Sequence, residues 1–241
     1  MKRLSLNPSI IILSLLILLL LTPDGYILAS RQEGEAQQTP AKVKLPQPTY
    51  TGKVSVEETI KRRRCVRSYL SKPLTLSQVS QLLWAAQGIT GGRDYLRAAP
   101  SAGALDPIEM YLVVSSGGVD KLDAGVYHYL PKPHSIEAVK KGDYRGKVVA
   151  GALVQQWIGE APVILIVTAD YARTTRKYGE RGIRYVHIEA GHVGQNIFLQ
   201  AGAMDLGAGI AGAFSDRLLS KVIGLPSELT PLLIMPVGYK K

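Results

Sequence analysis

Apolar positions in this chain change period along its length, and the changes mark its elements. Leu76, Val79, Leu82, Leu83 and Ala86 recur at helical spacing behind Thr75 and Gln78, which form a capping box. They predict a helix that Gly88 ends in the left-handed conformation. A shorter helix is predicted before it, capped by Ser55 and Glu58, with Val56, Thr59 and Ile60 on its apolar side. Residues 109–114 and 125–130 read as strands, the second alternating Val126, His128 and Leu130. Behind Ala161-Pro162, residues 163–168 form an unbroken β-branched and aliphatic run, the pattern of a strand buried on both faces. Residues 185–204 are small or apolar almost all round, which predicts a long helix buried on several sides. Its Gly191 and Gly194 allow another backbone to come close. Residues 207–213 carry almost no side chains. Asp216 is read as the cap of a short helix that Gly224 and Pro226 end, and residues 232–237 as a last apolar strand. Strands and helices mix without regular βαβ alternation, so the expected class is α+β.

The N-terminal part follows another logic. Lys2-Arg3 and the apolar run 10–21, stopped by Thr22-Pro23-Asp24-Gly25, have the layout of a signal peptide, with an uncleaved anchor as the competitor. The run is shorter than the ~20 residues that cross a bilayer comfortably. Residues 1–30 are accordingly read as signal peptide or membrane anchor, and the folded part is expected outside the cytoplasm, secreted or anchored. Residues 31–52, rich in Gln, Pro, Lys and Thr, are read as a flexible linker, and 53–241 as one globular domain.

Composition narrows the function classes. The formal net charge is +10 over 241 residues, but the basic residues are spread along the chain and do not alternate with aromatics. That pattern argues against a nucleic-acid platform. One cysteine excludes an intrachain disulfide and a cysteine-based zinc cage, and the four histidines lack HExxH spacing, so no metal is expected.

The densest candidate chemistry is at residues 62–67, where Arg62, Arg63, Arg64 and Arg67 surround the lone Cys65. Guanidiniums this close repel one another and suit bidentate contact with phosphate. They also suit a helix C-terminus, so a solvated helix end, an anion site and a nucleic-acid patch all remain open on this segment alone. Two further segments, 100–104 and 207–213, offer backbone without bulky side chains, which a flat ligand needs if amides are to reach its edge. Residues 207–212 match GxGxxG by letter but follow a helix rather than a strand, so the dinucleotide-binding context fails. His192 and Asn196 share a helix face, where structural hydrogen bonding is the plainer reading.

Taken in order, the segments KRRRCVRSY, PSAGALDPIEMYLV, GVYHY, the stretch from 161 to 214 and LLIMPVG make the chain similar to the nitroreductase-like flavoproteins, and within them to the SagB-type dehydrogenases. The resemblance runs from about residue 55 to the C-terminus. It implies an α+β fold with a central mixed sheet flanked by helices, an intertwined homodimer and two FMN sites at the subunit interface. By position, Arg63, Arg64, Cys65 and Arg67 match the segment that grips the FMN phosphate and ribityl chain; the family usually has serine where Cys65 stands. Pro100, Ser101, Ala102 and Gly103 match the loop that packs on the flavin ring from the partner subunit. Ala211, Gly212 and Ala213 match the segment whose backbone amides face the ring's reactive edge.

The resemblance has departures. Nitroreductases outside the SagB-type branch carry Asn and Gln-Pro-Trp after the Pro-Ser loop, whereas residues 102–107 here read Ala-Gly-Ala-Leu-Asp-Pro; the branch often has tyrosine at the place of Asp106. Many relatives continue past the end of this sequence and supply further basic residues to the phosphate; that half of the clamp is expected here either to be absent or to fall to the last lysines. Lys177-Tyr178 lies in a segment resembling the Lys-Tyr pair of azoline dehydrogenases, in which a base removes a ring proton while hydride passes to flavin. The competing reading is ordinary surface charge in the basic stretch 173–184. The implied function is an FMN-dependent oxidoreductase transferring hydride between flavin and a small molecule or a peptide azoline, with NAD(P)H among the candidate donors. The alternative is a non-catalytic flavin-binding or scaffold protein of the same fold.

Overall fold

The computed structural model describes residues 41–91 and 96–241. The expected leader, residues 1–30, and the first part of the linker lie outside the described residues. Seven strands form the central sheet in the order β1 (Lys42–Lys44), β6 (Ser135–Lys141), β5 (Gly125–Leu130), β4 (Ile108–Val114), β7 (Val163–Ala169), β9 (Thr230–Gly238) and β8 (Gly207–Ala208). β2 (Ile89–Gly91) and β3 (Leu96–Arg97) make a separate two-stranded piece. The fold is α+β, as expected. The sheet expected to be mixed pairs antiparallel at every step. Among the described residues, parallel pairing is confined to isolated bridges, one of them between Cys65 and Ala208.

Period-two alternation sends the two faces of each central strand into separate cores. Ile108, Met110, Leu112 and Val114 of β4 pack on one side with Leu82, Leu83 and Ala86 of α2 (Leu76–Gln87) and with Val186, Ala190, Val193 and Ile197 of α6 (Arg181–Ala203). Tyr111 and Val113 face the other way, against Val148 and Val149 of α3 (Arg145–Gly151), Ile158 of α4 (Trp157–Glu160) and Leu219 and Ile223 of α7 (Asp216–Ile223). β7 lies between β4 and β9 and is buried along its whole length, which is why its sequence is continuously apolar. Each of these large side chains contributes about 1.5–3 kcal/mol by leaving water.

Several expectations shift in detail. The Thr75/Gln78 capping box is complete. Gly88, however, is extended rather than left-handed, with φ −67° and ψ 160°. A Cβ there would lie 2.2 Å from the Trp84 ring, so the glycine serves close approach. On α1 (Val56–Arg62), capped by Ser55, only Thr59 of the expected apolar side is buried; Val56 and Ile60 face outward. The α7 cap is Ser215, one residue before Asp216. The long helix begins at Arg181, and α5 (Tyr171–Tyr178), capped by Asp170, precedes it inside the stretch read only as basic. The linker is shorter than expected. Residues 42–44 pair with β6, Leu45 is buried, and Thr49 and Pro46 bond to Gln81 and Ser80 of α2. A three-residue strand leaves too few alternating positions to be visible in a polar, proline-rich stretch.

Candidate functional site

The arginine segment leaves α1 and runs beside β8, where the Val66 amide donates to Ala208 O at 2.9 Å. Buried Tyr69 fixes it from below, donating to Val66 O at 2.7 Å. Close approach explains two of the glycines expected to serve a ligand. A Cβ on Gly207 would meet Val66 and Lys240 at 2.8 Å, and one on Gly209 would lie 2.5 Å from Trp157 and 2.7 Å from Val66 O. Their lack of side chains lets two chain segments touch.

Arg62, Arg63, Arg64, Phe198, Gly207 and Lys240 line a cavity of about 120 Å³. Arg62 is paired with Glu58 and Lys240 with Asp205. Arg63, Arg64 and Arg67 have no carboxylate partner among the described residues. The Arg63 guanidinium lies 5.3 Å from the centre of the Phe198 ring and that of Arg67 5.5 Å from the Trp157 ring. Aromatic faces thus carry both cations, which frees their donor edges. Arg64 donates to Lys61 O and Arg63 O and remains exposed. Cys65 is half-buried and bridges to Ala208 through its backbone.

Beyond this cavity lies the segment 211–213. The Ala211 amide is taken by Ile234 O at 2.9 Å, so it does not face a ligand as the resemblance implied. Gly212 and Ala213 are exposed, and a Cβ on Gly212 would meet nothing within 4 Å. Gly212 and the Ala213 amide supply the open backbone of this part of the site, while the Ala213 carbonyl accepts from Gln155 at 2.9 Å.

The remaining expected residues converge elsewhere. Residues 102–104 form a 3-10 turn with Gly103 at φ +64°. A Cβ at Gly103 would stand 2.6 Å from Tyr178 Oη and 3.0 Å from Lys177 Nζ. The turn and the Lys-Tyr pair, far apart in sequence, therefore touch. Arg173 ties α5 to this loop: it donates to Asp106 O at 2.9 Å and pairs with Glu109 at 2.6 Å. Burial pushes the Glu109 carboxyl up, but bonds from His128 and Arg173 outweigh it and hold the group below its ordinary range.

α6 runs between these two places. On one side Asn196 donates to Ala85 O and Ala98 O, His192 reaches Pro100 O at 3.4 Å, and Glu189 accepts from Gln87. His192 and Asn196 are thus structural ties to the loop. Phe198 and Gly202 face the arginine cavity. At 100° per residue, the loop-facing and arginine-facing positions lie about 140° apart around the helix. Within one chain, the arginines and residues 100–103 are held on different sides of α6.

Two residues of this arrangement escaped the sequence. Trp157 and Phe198 lie far from the arginines along the chain, and nothing local marks them as their supports. Glu189, a lone acid in a helix of small and apolar residues, was the available signal for a buried polar centre.

The chain belongs to the nitroreductase family, whose profile, described as Nitroreductase family, matches residues 60–239. A Methanocaldococcus jannaschii protein that is a nitroreductase by name is 43% identical over 187 residues, covering 78% of this chain and 92% of that one. The microcin B17-processing protein McbC of Escherichia coli is 27% identical over 68% of this chain, which spans 62% of McbC. In three dimensions, a crystal structure named for a nitroreductase of Ralstonia eutropha superposes with a TM-score of 0.73 at 26% identity, covering 84% of this chain and 94% of that one. The resemblance read from the ordered segments is borne out, including the SagB-type branch. The expected extracytoplasmic, secreted or membrane-anchored location is corrected. The chain is a nitroreductase-family protein over residues 60–239, and no helix among the described residues is long and apolar enough to cross a membrane. Residues 10–21, which carried that expectation, lie outside the described ones.

Proposed function

We propose that this nitroreductase-family oxidoreductase uses FMN to transfer hydride to or from a small molecule or a peptide azoline. The observation that carries the reading is the set of three arginines without carboxylate partners, two of them on aromatic faces; Arg63 and Arg64 line a cavity that Lys240 also lines. That donor set fits a phosphate group. Arg63, Arg64 and Arg67 would hold the FMN phosphate, with Cys65 contributing backbone, and the exposed backbone at Gly212 and Ala213 would receive the ring edge. Bound FMN would supply the hydride chemistry.

The loop 100–103 and the pair Lys177-Tyr178 complete the site from a second copy of the chain. Support comes from the α6 geometry, since one chain keeps arginines and loop on different sides. An exposed stripe of α6 through Ile188, Gly191 and Gln195 is the surface for that second copy. In this arrangement Lys177 and Tyr178 hold or move a proton at the substrate, with Gly103 keeping space open beside both groups. The kinship with a microcin-processing protein supports an azoline peptide as one substrate class, and the nitroreductase kinship supports a nicotinamide-reduced small acceptor.

The test is anaerobic mixing of the FMN-loaded protein with NADH, NADPH or an azoline-containing peptide. Bleaching of the yellow absorbance, reversed by a nitroaromatic or quinone acceptor, is expected with at least one donor. Absence of bleaching with all three would contradict hydride transfer.

A further inference from the structure

Glu189 has no part in the chemistry described above, yet it is a carboxyl only 2% exposed, at the middle of the helix on which the loop rests. Its surroundings are specific. Gln87 of α2 donates to one oxygen at 3.3 Å, and the Ser101 hydroxyl of the loop is a neighbour that favours the charged form of the carboxyl. Ser101 in turn accepts the Asp106 amide at 2.9 Å. Arg97 stands 3.4 Å from the Asp106 carboxylate and donates to Gln87 O, while its buried Nε has no hydrogen-bond partner. His192, one turn along α6, meets Pro100 O. Arg97 and Asp106 are the charged groups whose fields reach Glu189, and Lys177 meets the loop at Gly103. The loop over this carboxyl is strained, since Ala104 and Asp106 both adopt positive φ (53° and 46°) beside Gly103 at 64°. L-residues hold that conformation only where the surroundings impose it.

We propose that Glu189 is a positioning residue, a proton-operated latch: the loop 101–106 stays closed over its carboxyl while the carboxyl is protonated and loosens when it ionises. Burial pushes this carboxyl up to about 7, the nearby Asp106 charge adds to the rise, and the neighbouring Ser101 hydroxyl, the bond from Gln87 and the Arg97 charge oppose it. Opening the loop would give the carboxylate water and return it toward the ordinary 4.5. By linkage, the state with the raised value is fully favoured below 4.5 and loses that advantage as pH rises, levelling off above about 7. The loop therefore holds best in acid and opens toward neutrality. That this loop covers a flavin ring rests on the functional reading above; the latch itself does not.

Hydrogen exchange of the Asp106 amide in the cofactor-free full chain tests it, expressed as the ratio of wild type to Glu189→Gln at each pH, which cancels intrinsic exchange. The amide glutamine cannot ionise but keeps the shape. The ratio should rise by up to about tenfold per pH unit between pH 5 and pH 7 and then flatten. A flat ratio over the whole range overturns the latch. As a second measurement on wild type alone, the Glu189 side-chain carboxyl carbon should titrate near neutrality by NMR, and titration in the ordinary carboxylate range overturns it equally. Neither measurement involves FMN, so failure here leaves the flavin reading untouched.

Discussion

Replacing Arg63 and Arg64 together with alanine is expected to lower FMN affinity by at least about 100-fold. A hydrogen bond from a charged donor to an anion contributes about 1.5–3 kcal/mol, and each 1.4 kcal/mol is tenfold in affinity. Both side chains reach the cavity beside α6, and neither has a carboxylate that would be left unpaired by the change. The thermal midpoint of the cofactor-free protein should move little, because Arg64 is exposed and Arg63 half-buried. Arg67→Ala should have a smaller effect, about tenfold, since it removes one contact and its stacking on Trp157. Flavin fluorescence titration measures both affinities, and thermal unfolding the midpoint. Unchanged affinity in the double variant would return the cluster to a solvated helix end.

Lys177→Ala should lower turnover about 10²- to 10⁴-fold, the usual range for removal of a positioned acid or base, with FMN affinity unchanged. The separation of the two readouts is the informative part. Lys177 lies on α5, beside the turn at Gly103 and away from the arginine cavity, so a loss of cofactor binding would mean that the pair supports structure. Tyr178→Phe tests its neighbour: the ring stacked edge-on to Tyr185 at 5.1 Å remains, and only the hydroxyl beside Gly103 is lost. Equal turnover in wild type and both variants would leave Lys177-Tyr178 as surface charge and aromatic packing.

What the sequence reveals about this protein follows from how local each signal is. The α2 helix was legible because its capping box and apolar face lie within one short segment, and β7 because a strand buried on both faces has no polar positions to interrupt it. The α5 helix was hidden because its exposed arginines and lysine read as charge rather than as a helix face. The strand at 42–44 owes its place to pairing with residues more than ninety positions away, which no window in the sequence contains. The site divides in the same way. The arginines announce themselves by composition. The aromatic rings beneath two of them come from α4 and α6, and the contact of Gly103 with Lys177 and Tyr178 exists only once α5 is folded against the loop. The glycines of 207–213 carried a mixed message: two permit chain segments to pack, and only Gly212 has the open space a ligand needs.

An equilibrium titration of the purified protein with FMN and, in parallel, with riboflavin tests the central claim most directly, because the two ligands differ by the phosphate alone. The arginine end of the site predicts a yellow complex of one FMN per chain, with riboflavin bound at least about 100-fold more weakly. Equal affinity for the two, or no FMN bound, would contradict it.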